Sequence, residues 1–319
     1  MTHDIIAIGA SAGGLEVLLD LVHELPADLP ASIFVVVHLR PNQTSILPEL
    51  LSQRGPLPAR HPLHDERIVP GQIYVAPPDN HLMLRQGSME VVRGPKENGH
   101  RPAADVLFRT AAAAYGPRVI GVILSGYQTC GTAGMMSIKA RGGLGVVQSP
   151  ATALARDMPQ SVIDRVAVDH IADPAQLPRL LAQLVSTPSG PATAPDTFIN
   201  QLEGSETGAA VELVCPLCEG VLTEAQRDRY HHFRCHVGHA FSLDSLVREQ
   251  SEGVERALWA AIRALEESAA LSVRLNTSET GEIRRSFAEK ARSQRDHAEL
   301  IRQIVLRGNL LARADGSKL

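Results

Sequence analysis

The residue pattern with the clearest chemical meaning lies near the start of the chain, where Gly9-Ala10-Ser11-Ala12-Gly13 reads G-x-S-x-G. A short apolar run, residues 5–8, precedes it, and apolar residues at helical spacing follow it. This strand–turn–helix context is typical of a nucleophile elbow. Such a turn exposes the serine hydroxyl beside helix N-terminal amides, which favour developing negative charge. Ser11 is therefore a candidate nucleophile.

A histidine that could activate this serine closes a second apolar run, residues 32–37. In an open parallel sheet, ligands bind at the carboxyl ends of strands. If the two strands are neighbours, His38 can accept the Ser11 proton as a general base. Two alternatives remain open. A dinucleotide-binding loop would need glycine in place of Ser11 and an acid in place of His38, and either residue could be purely structural.

A second constellation reads Cys215-x2-Cys218, then sixteen residues, then Cys235-x3-His239. Three thiolates and one imidazole form a ligand set for a tetrahedral, structural Zn²⁺ site with no open position for catalysis. Reduced thiols without a metal are the alternative. Three further histidines are alternative ligands: His231, His232 and His236.

The elements that must position these residues follow from periodicity. Residues 1–185 alternate short apolar runs with helical spacing, which predicts an α/β fold with a doubly wound, mainly parallel sheet. Predicted strands are 5–8, 32–37, 72–76, 119–124 and 145–148, with a hairpin at 81–92. Predicted helices are 15–25, 44–53 (capped by Thr44), 102–115, 132–141, 153–164 and 174–185. We predict a linker at 186–207, a small zinc module at 208–241 and a helical hairpin at 242–319.

Composition excludes several classes of protein. The 319 residues carry 31 Lys and Arg against 35 Asp and Glu, a net charge of −4. This balance argues against binding to nucleic acid. No run approaches the roughly 20 apolar residues of a membrane span. No secretory signal is visible, so we expect a cytoplasmic protein in a reducing compartment.

Residues 1–185 resemble the catalytic domain of CheB-type chemotaxis-receptor methylesterases. The segments IGASAGG, VVVHL, IYVAPPDNHL, RPAADVLFR and LSG…GTAGM occur in family order. The resemblance implies hydrolysis of glutamate methyl esters on methyl-accepting receptors without a catalytic cofactor, often with deamidation of receptor glutamines. It assigns Ser11 as nucleophile, His38 as general base and the amide at Tyr127 to the oxyanion hole. The Cys/His segment resembles a CPxCxGxL…FRCxVGHxFS module that follows some CheB-like domains.

Two departures from the family pattern matter. Cys130 stands where the family has its triad aspartate, and a thiol is a weak partner for an imidazole. The chain is then a slowed enzyme, an enzyme with a substitute acid, or a non-catalytic scaffold in a chemosensory system. The substitute acids are Asp79, Asp105 and Asp157, each with an ordinary structural role as the alternative, such as an Asp105–Arg101 ion pair.

The second departure concerns regulation and partners. Because the chain begins almost at the elbow strand, we expect no receiver domain and no phospho-control in cis. The resemblance implies a methylated receptor as partner. A separate response regulator of a phosphorelay and a receptor methyltransferase are further candidate partners.

Overall fold

The computed structural model describes residues 1–38, 44–278 and 281–307. The chain divides into two compact units, Met1–Leu246 and Val247–Leu319. The first elements in chain order are β1 (Ile5–Ala10), α1 (Gly14–Glu24), β2 (Ser32–Val37), α2 (Leu47–Arg54), β3 (Ala59–Arg60), β4 (Glu66–Arg67), β5 (Ile73–Val75), β6 (His81–Arg85), β7 (Ser88–Val92), α3 (Ala104–Tyr115), β8 (Val119–Ile123), α4 (Thr132–Ala140), β9 (Leu144–Gln148), α5 (Asp157–Arg165), β10 (His170–Ala172) and α6 (Leu177–Val185). The later elements are α7 (Thr197–Glu203), β11 (Ala209–Val214), β12 (Val221–Arg227), β13 (Tyr230–Cys235), β14 (Ala240–Ser242), α8 (Leu243–Ser278) and α9 (Gly281–Leu306).

The first unit is built on a parallel sheet. Within the described residues, seven strands lie in the order β10-β9-β8-β1-β2-β5-β3. The strands β1, β2 and β8 are buried along their whole length, as expected for a parallel sheet covered on both faces. The chain winds from β1 to β2 in one direction and later returns to β8 on the other side. This confirms the predicted doubly wound fold and places the topological switch point beside β1.

Helices cover both faces of this sheet. The helices α1, α2 and α6 bury apolar residues such as Leu18, Leu51 and Leu181 on one face. On the other face, α3, α4 and α5 pack together with the β6–β7 hairpin and contribute residues such as Phe108 and Met135. The predicted hairpin at 81–92 is confirmed. The core is therefore aliphatic with few aromatic rings.

Four predicted helix starts are wrong. The second helix begins at Leu47 and not at Thr44, because the Ser45 hydroxyl accepts the Leu47 N–H at 3.3 Å and Pro48 occupies the first turn. The third begins at Ala104, two residues after Pro102. The helix predicted at 153–164 begins only at Asp157. The α-helix predicted at 174–185 begins at Leu177, after a 3₁₀ turn at Pro174–Gln176. The helix cores are placed as predicted, since apolar spacing locates cores better than ends.

The Cys/His segment forms an antiparallel sheet in the order β11-β12-β13-β14. Its own core is small and includes Leu222, Phe233, Phe241 and Leu246. Helix α7 lies inside the stretch predicted as a linker, and its Phe198 packs in one cluster with Ala133 of α4 and with β13. That stretch is therefore partly packed structure. The predicted domain boundaries themselves stay predictions.

The second unit contains α8 from Val247 onward and α9. The Gln294 side chain of α9 donates to the Ser268 hydroxyl of α8 at 2.6 Å and accepts from the Ser272 hydroxyl at 3.4 Å. Arg302 of α9 pairs with Glu266 of α8. A later position on α9 therefore contacts an earlier position on α8, so the two helices run antiparallel. Within the described residues, neither these nor the other helices combine the length and apolar character needed to cross a membrane.

A buried ion pair lies just before α3. Glu97 is 4% exposed and binds Arg109 through two hydrogen bonds of 2.6 and 3.0 Å. Arg234 of β13 approaches the same carboxylate at 3.7 Å, and the His81 ring is also near. Burial alone would raise the Glu97 pKa, but the charges of Arg109 and Arg234 prevail and lower it to about 2.

We predict that Glu97→Gln lowers the free energy of unfolding by about 3 kcal/mol near neutral pH, because two buried guanidinium groups lose their carboxylate. The folded-state pKa is depressed, so this stabilisation is fully present above the ordinary value of 4.5 and is lost as pH falls toward about 2. Urea unfolding of wild type and variant across this range checks it. Asp20→Asn, which breaks the exposed pair with Arg54, is the control and should cost less than about 1 kcal/mol. If the difference in unfolding free energy between wild type and Glu97→Gln does not shrink as the pH falls, the depressed pKa of Glu97 is wrong.

Candidate active site and candidate metal centre

Ser11 directly follows β1 and lies in the turn that leads into α1. Gly13 ends this turn with φ of +73°, and a Cβ there would lie 2.4 Å from the Cβ of Leu154, so both conformation and space require glycine. The Ser11 N–H donates to the Ser125 carbonyl at 2.9 Å, and the Ser125 hydroxyl donates to the Ala12 carbonyl at 2.7 Å. The turn therefore has the strand–turn–helix form of a nucleophile elbow, and the loop after β8 holds it.

His38 follows β2 as Ser11 follows β1. The last register pair of these parallel strands is Ala10 with Val37, so Ser11 and His38 come next to each other at one edge of the sheet. Neighbouring strands lie about 4.8 Å apart. The His38 N–H donates to the Ala10 carbonyl at 3.2 Å. The structure thus brings the two residues to the same edge of the sheet.

The imidazole of His38 stacks on a second imidazole, that of His100. The ring centroids are 3.7 Å apart and the ring planes differ by 7°. Sequence reasoning missed His100, which stands far from His38 in the chain. Its one signal was its position directly before the Arg101-Pro102 motif. The His100 ring therefore packs against one face of the His38 ring and restricts its orientation.

The turn at Tyr127 packs against the elbow. A Cβ on Gly126 would lie 2.8 Å from the Cβ of Ser11, so only glycine allows this approach. The N–H groups on either side of Tyr127 are occupied: that of Gly126 by the Ala155 carbonyl at 2.9 Å, and that of Gln128 by a carboxylate at 3.3 Å. In the part of the chain that the structure describes, no acceptor contacts the Tyr127 N–H. This amide follows directly on Gly126, which packs against Ser11.

Cys130 lies two residues before α4, packs against the start of α3 and is completely buried. Its sulfur faces the N–H groups of Ala104 and Asp105, in the apolar cluster on that side of the sheet. Burial and the neighbouring Asp105 carboxyl raise the pKa of the Cys130 thiol well above its ordinary value. The group is therefore a neutral thiol at physiological pH and supplies no negative charge.

The carboxyl groups weighed as substitutes have other partners. Asp79 binds Arg101 at 2.6 Å, so the suggested Asp105–Arg101 pair is wrong. Asp157 accepts the Gln128 N–H at 3.3 Å. Asp105 is 1% exposed and accepts the Gly134 N–H at 2.8 Å and the Asn98 side-chain amide at 2.9 Å, while burial raises its pKa. These contacts give each carboxyl a structural role.

The four predicted metal ligands converge at one point of the small sheet. Cys215 and Cys218 lie in the β11–β12 turn, and Cys235 and His239 lie around the β13–β14 turn. The separations are 3.6 Å for Cys218 Sγ to Cys235 Sγ, and 3.6 Å from His239 Nδ1 to the sulfurs of both Cys215 and Cys235. Tetrahedral Zn²⁺ with Zn–S of about 2.3 Å and Zn–N of about 2.05 Å places ligand atoms about 3.6–3.8 Å apart. The donor set therefore fits Zn²⁺ in both chemistry and spacing.

The alternative histidines lie outside this cluster. Among the described residues, the ligand atoms that converge here belong to the three cysteines and His239. His231 binds the Glu224 carboxylate at 2.6 Å, and His232 is 3% exposed elsewhere on β13. The donor set is thus three sulfurs and one ring nitrogen.

Comparison with known proteins addresses the first 185 residues. The profile of the CheB methylesterase family matches residues 6–181, more than half of the chain. The chain belongs to the CheB methylesterase family. A protein-glutamate methylesterase/protein-glutamine glutaminase of Ralstonia nicotianae is 37% identical over 188 residues, 57% of this chain and 49% of that protein. A relative named protein-glutamate methylesterase/protein-glutamine glutaminase 1, from Geobacter metallireducens, is 37% identical over 56% of this chain and 50% of its own length.

The fold of this CheB-family chain also matches a solved structure. The crystal structure of the Thermotoga maritima CheB methylesterase catalytic domain is 32% identical, with a TM-score of 0.55. The match covers 58% of this chain and 100% of the Thermotoga chain. The chain spans about half the length of the two curated relatives above. The family match ends at residue 181, ahead of the Cys/His segment.

Proposed function

We propose that this chain hydrolyses glutamate methyl esters on methyl-accepting receptors, with Ser11 as nucleophile. The observation that carries the proposal is the position of Ser11 at an elbow, next in register to His38 and packed against the turn that offers the Tyr127 amide. The family membership and the names of the relatives support the substrate class. Those names also support deamidation of receptor glutamine at the same site.

The proposed reaction proceeds by acyl transfer. The Ser11 oxygen attacks the ester carbonyl while His38 takes its proton, and the Tyr127 N–H binds the developing oxyanion. The tetrahedral intermediate collapses, and methanol leaves with the proton from His38. Water, activated by His38, then hydrolyses the acyl-serine and releases a glutamate carboxylate. Serine and imidazole supply nucleophile and base, so the proposed chemistry needs no cofactor.

A second candidate function rests on one specific observation. Cys130 is buried and neutral at the position where the family carries its triad aspartate. Loss of that carboxylate costs about 10⁴ in turnover in a serine–histidine–aspartate enzyme. A scaffold that binds the receptor without hydrolysing it would fit this feature. We favour the enzyme because Ser11 lies at an elbow, next in register to His38 and against the Gly126-Tyr127 turn.

The deciding experiment measures methanol released from a receptor fragment that has been methylated on its glutamates. A fluorophosphonate probe, which reacts with activated serines, is applied in parallel. Methanol release together with labelling of Ser11 supports the esterase. A folded chain that binds the methylated fragment but gives neither signal supports the scaffold.

We further propose a cytoplasmic location, where the methylated part of such a receptor would be accessible. The partner proposed first is the methylated receptor. A separate response regulator and a receptor methyltransferase remain proposed partners, and no contact of the described residues bears on them.

We also propose that Cys215, Cys218, Cys235 and His239 hold a structural Zn²⁺. The convergence of their donor atoms within 4.8 Å supports this, as does the small apolar core of the module. A bound ion would join the β11–β12 turn to the β13–β14 turn and compensate for the limited hydrophobic burial. With four protein ligands, such an ion would have no open position for substrate.

Elemental analysis of purified chain is expected to give one zinc per chain. The double variant Cys215→Ser/Cys218→Ser should lose it, because two of four ligands become weak hydroxyl groups. Cys130→Ser is the matched control, since this cysteine lies away from the cluster, and it should keep full occupancy. Zinc retained by the double variant would show that the ligands are elsewhere.

A further inference from the structure

The structure links the Cys/His module to the candidate active site through a buried polar network. The module side of this network is the β14–α8 corner, residues 240–245. On the other side lie the 97–100 turn, which carries His100, and the 125–131 loop, which carries Tyr127 and Cys130. Both segments flank the elbow serine and His38.

Asn98 is the centre of the contact with the 97–100 turn. Its side-chain oxygen accepts the Ser242 N–H at 2.8 Å and the Ser245 hydroxyl at 2.6 Å. Its backbone N–H donates to the Ala240 carbonyl at 2.8 Å. The same side chain donates to Asp105 at 2.9 Å, at the start of α3. Asn98 is 4% exposed, so these bonds form away from water and a lost partner is not replaced.

The position of His100 follows from this turn. The N–H of His100 donates to the Glu97 carbonyl at 2.9 Å, and the N–H of Glu97 donates to the His100 carbonyl at 3.2 Å. The first two residues of the turn both contact the Cys/His module. Arg234 approaches the Glu97 carboxylate at 3.7 Å, and the β14–α8 corner binds Asn98. The end of the turn places the His100 ring on the ring of His38.

Thr129 is the contact with the 125–131 loop. Its hydroxyl and the Ser242 hydroxyl lie 2.7 Å apart, and both residues are buried. Thr129 immediately precedes Cys130 and is two residues from the Tyr127 amide. A displacement of this loop would move the amide relative to Ser11, and misplacement by about 1 Å can cost about 10²-fold in rate.

We propose that the β14–α8 corner is a positioning element of the esterase site, holding the 97–100 turn through Asn98 and the 125–131 loop through Thr129. This inference rests on the esterase function proposed above. It makes the Cys/His module part of the catalytic assembly and couples activity to the folding of a segment outside the sheet domain. Asn98, Thr129 and Ser242 are positioning residues, since none of them is placed at the reacting atoms.

The test uses a matched pair of substitutions in the full chain. Thr129→Val removes the hydroxyl and keeps the shape, whereas Thr129→Ser keeps the hydroxyl. We expect Thr129→Val to lower kcat about tenfold with KM changed less than about twofold, and Thr129→Ser to restore kcat. Ser242→Ala should lower kcat similarly, and combining it with Thr129→Val should add little, because either variant alone already removes the Thr129–Ser242 hydrogen bond. Thr223→Val, which removes a module hydroxyl bound to the Arg234 carbonyl, is the control and should retain wild-type kcat.

Hydrogen exchange gives a readout that does not depend on catalysis. Thr129→Val and Ser242→Ala should speed amide exchange in residues 125–131. Ser245→Ala, which removes the hydroxyl that donates to Asn98, should speed it in residues 97–100, while β1 and β2 stay protected. A wild-type kcat in Thr129→Val, on an enzyme that releases methanol, overturns the inference. Unchanged exchange in both segments overturns it as well. If wild type releases no methanol, the proposed function fails, and the exchange data still decide whether the corner holds the two segments.

Discussion

Ser11→Ala is expected to reduce methanol release from a methylated receptor fragment by about 10⁴-fold or more, because the reaction loses the atom that forms the acyl intermediate. The substitution removes one oxygen at a turn whose backbone bonds involve the Ser11 N–H and carbonyl. The fold should therefore be kept. The measurement is single-substrate kinetics of purified wild type and variant, with thermal unfolding as a check on folding.

Ser186→Ala is the matched control for Ser11→Ala. The Ser186 hydroxyl bonds the Ala182 carbonyl at the exposed end of α6, and its loss should leave the rate unchanged. Fluorophosphonate labelling should disappear in Ser11→Ala alone. Hydrolysis that persists at the wild-type rate in a folded Ser11→Ala protein would exclude Ser11 as the nucleophile and leave the elbow a structural turn.

Cys130→Asp is expected to raise kcat by about 10²-fold or more. The family resemblance places an acid here opposite the general base, and the scale of the effect in serine–histidine–aspartate enzymes is about 10⁴. A carboxylate at this position would accept the N–H groups of Ala104 and Asp105, which now face the sulfur. The positive end of α3 would stabilise its charge. The new charge would in turn stabilise the imidazolium that His38 becomes in the transition state.

The same surroundings predict a pH dependence for this variant. Burial and the nearby Asp105 oppose ionisation of an acid at position 130, as they do for the thiol. An acid with a raised pKa is charged only above that value, so the gain over wild type should grow as pH rises. Rates across a pH series check this expectation.

Cys130→Asn separates charge from shape. Its side chain matches aspartate in size and can bond an imidazole N–H, but it carries no charge, so its gain should be much smaller. Cys130→Ser should change little. Equal rates in Cys130→Asp and Cys130→Asn would show that charge at this position is irrelevant. Activity lost in Cys130→Asp would point to crowding with the Asp105 carboxyl.

The sequence was sufficient to predict the sheet, the turn at Ser11 and the convergence of four candidate metal ligands, because all three depend on local patterns. Apolar runs such as residues 32–37 identify buried strands. Glycines around Ser11 identify a turn that other residues cannot form. The Cys215-x2-Cys218 spacing brings two sulfurs into one turn. The turn that carries Cys235 and His239 then had only to lie next to it in the small sheet for all four ligand atoms to meet.

The tertiary structure decided what depends on contacts between distant segments. No periodicity connects His100 with His38, because their stacking arises from where the 97–100 turn is held. The burial of Cys130, and hence its neutral thiol, follows from its place under α3 rather than from its neighbours in the chain. The link from Ser242 to Thr129 spans 113 residues. Such a bond is specified by side-chain packing and polar satisfaction in the folded core, which a one-dimensional pattern does not encode.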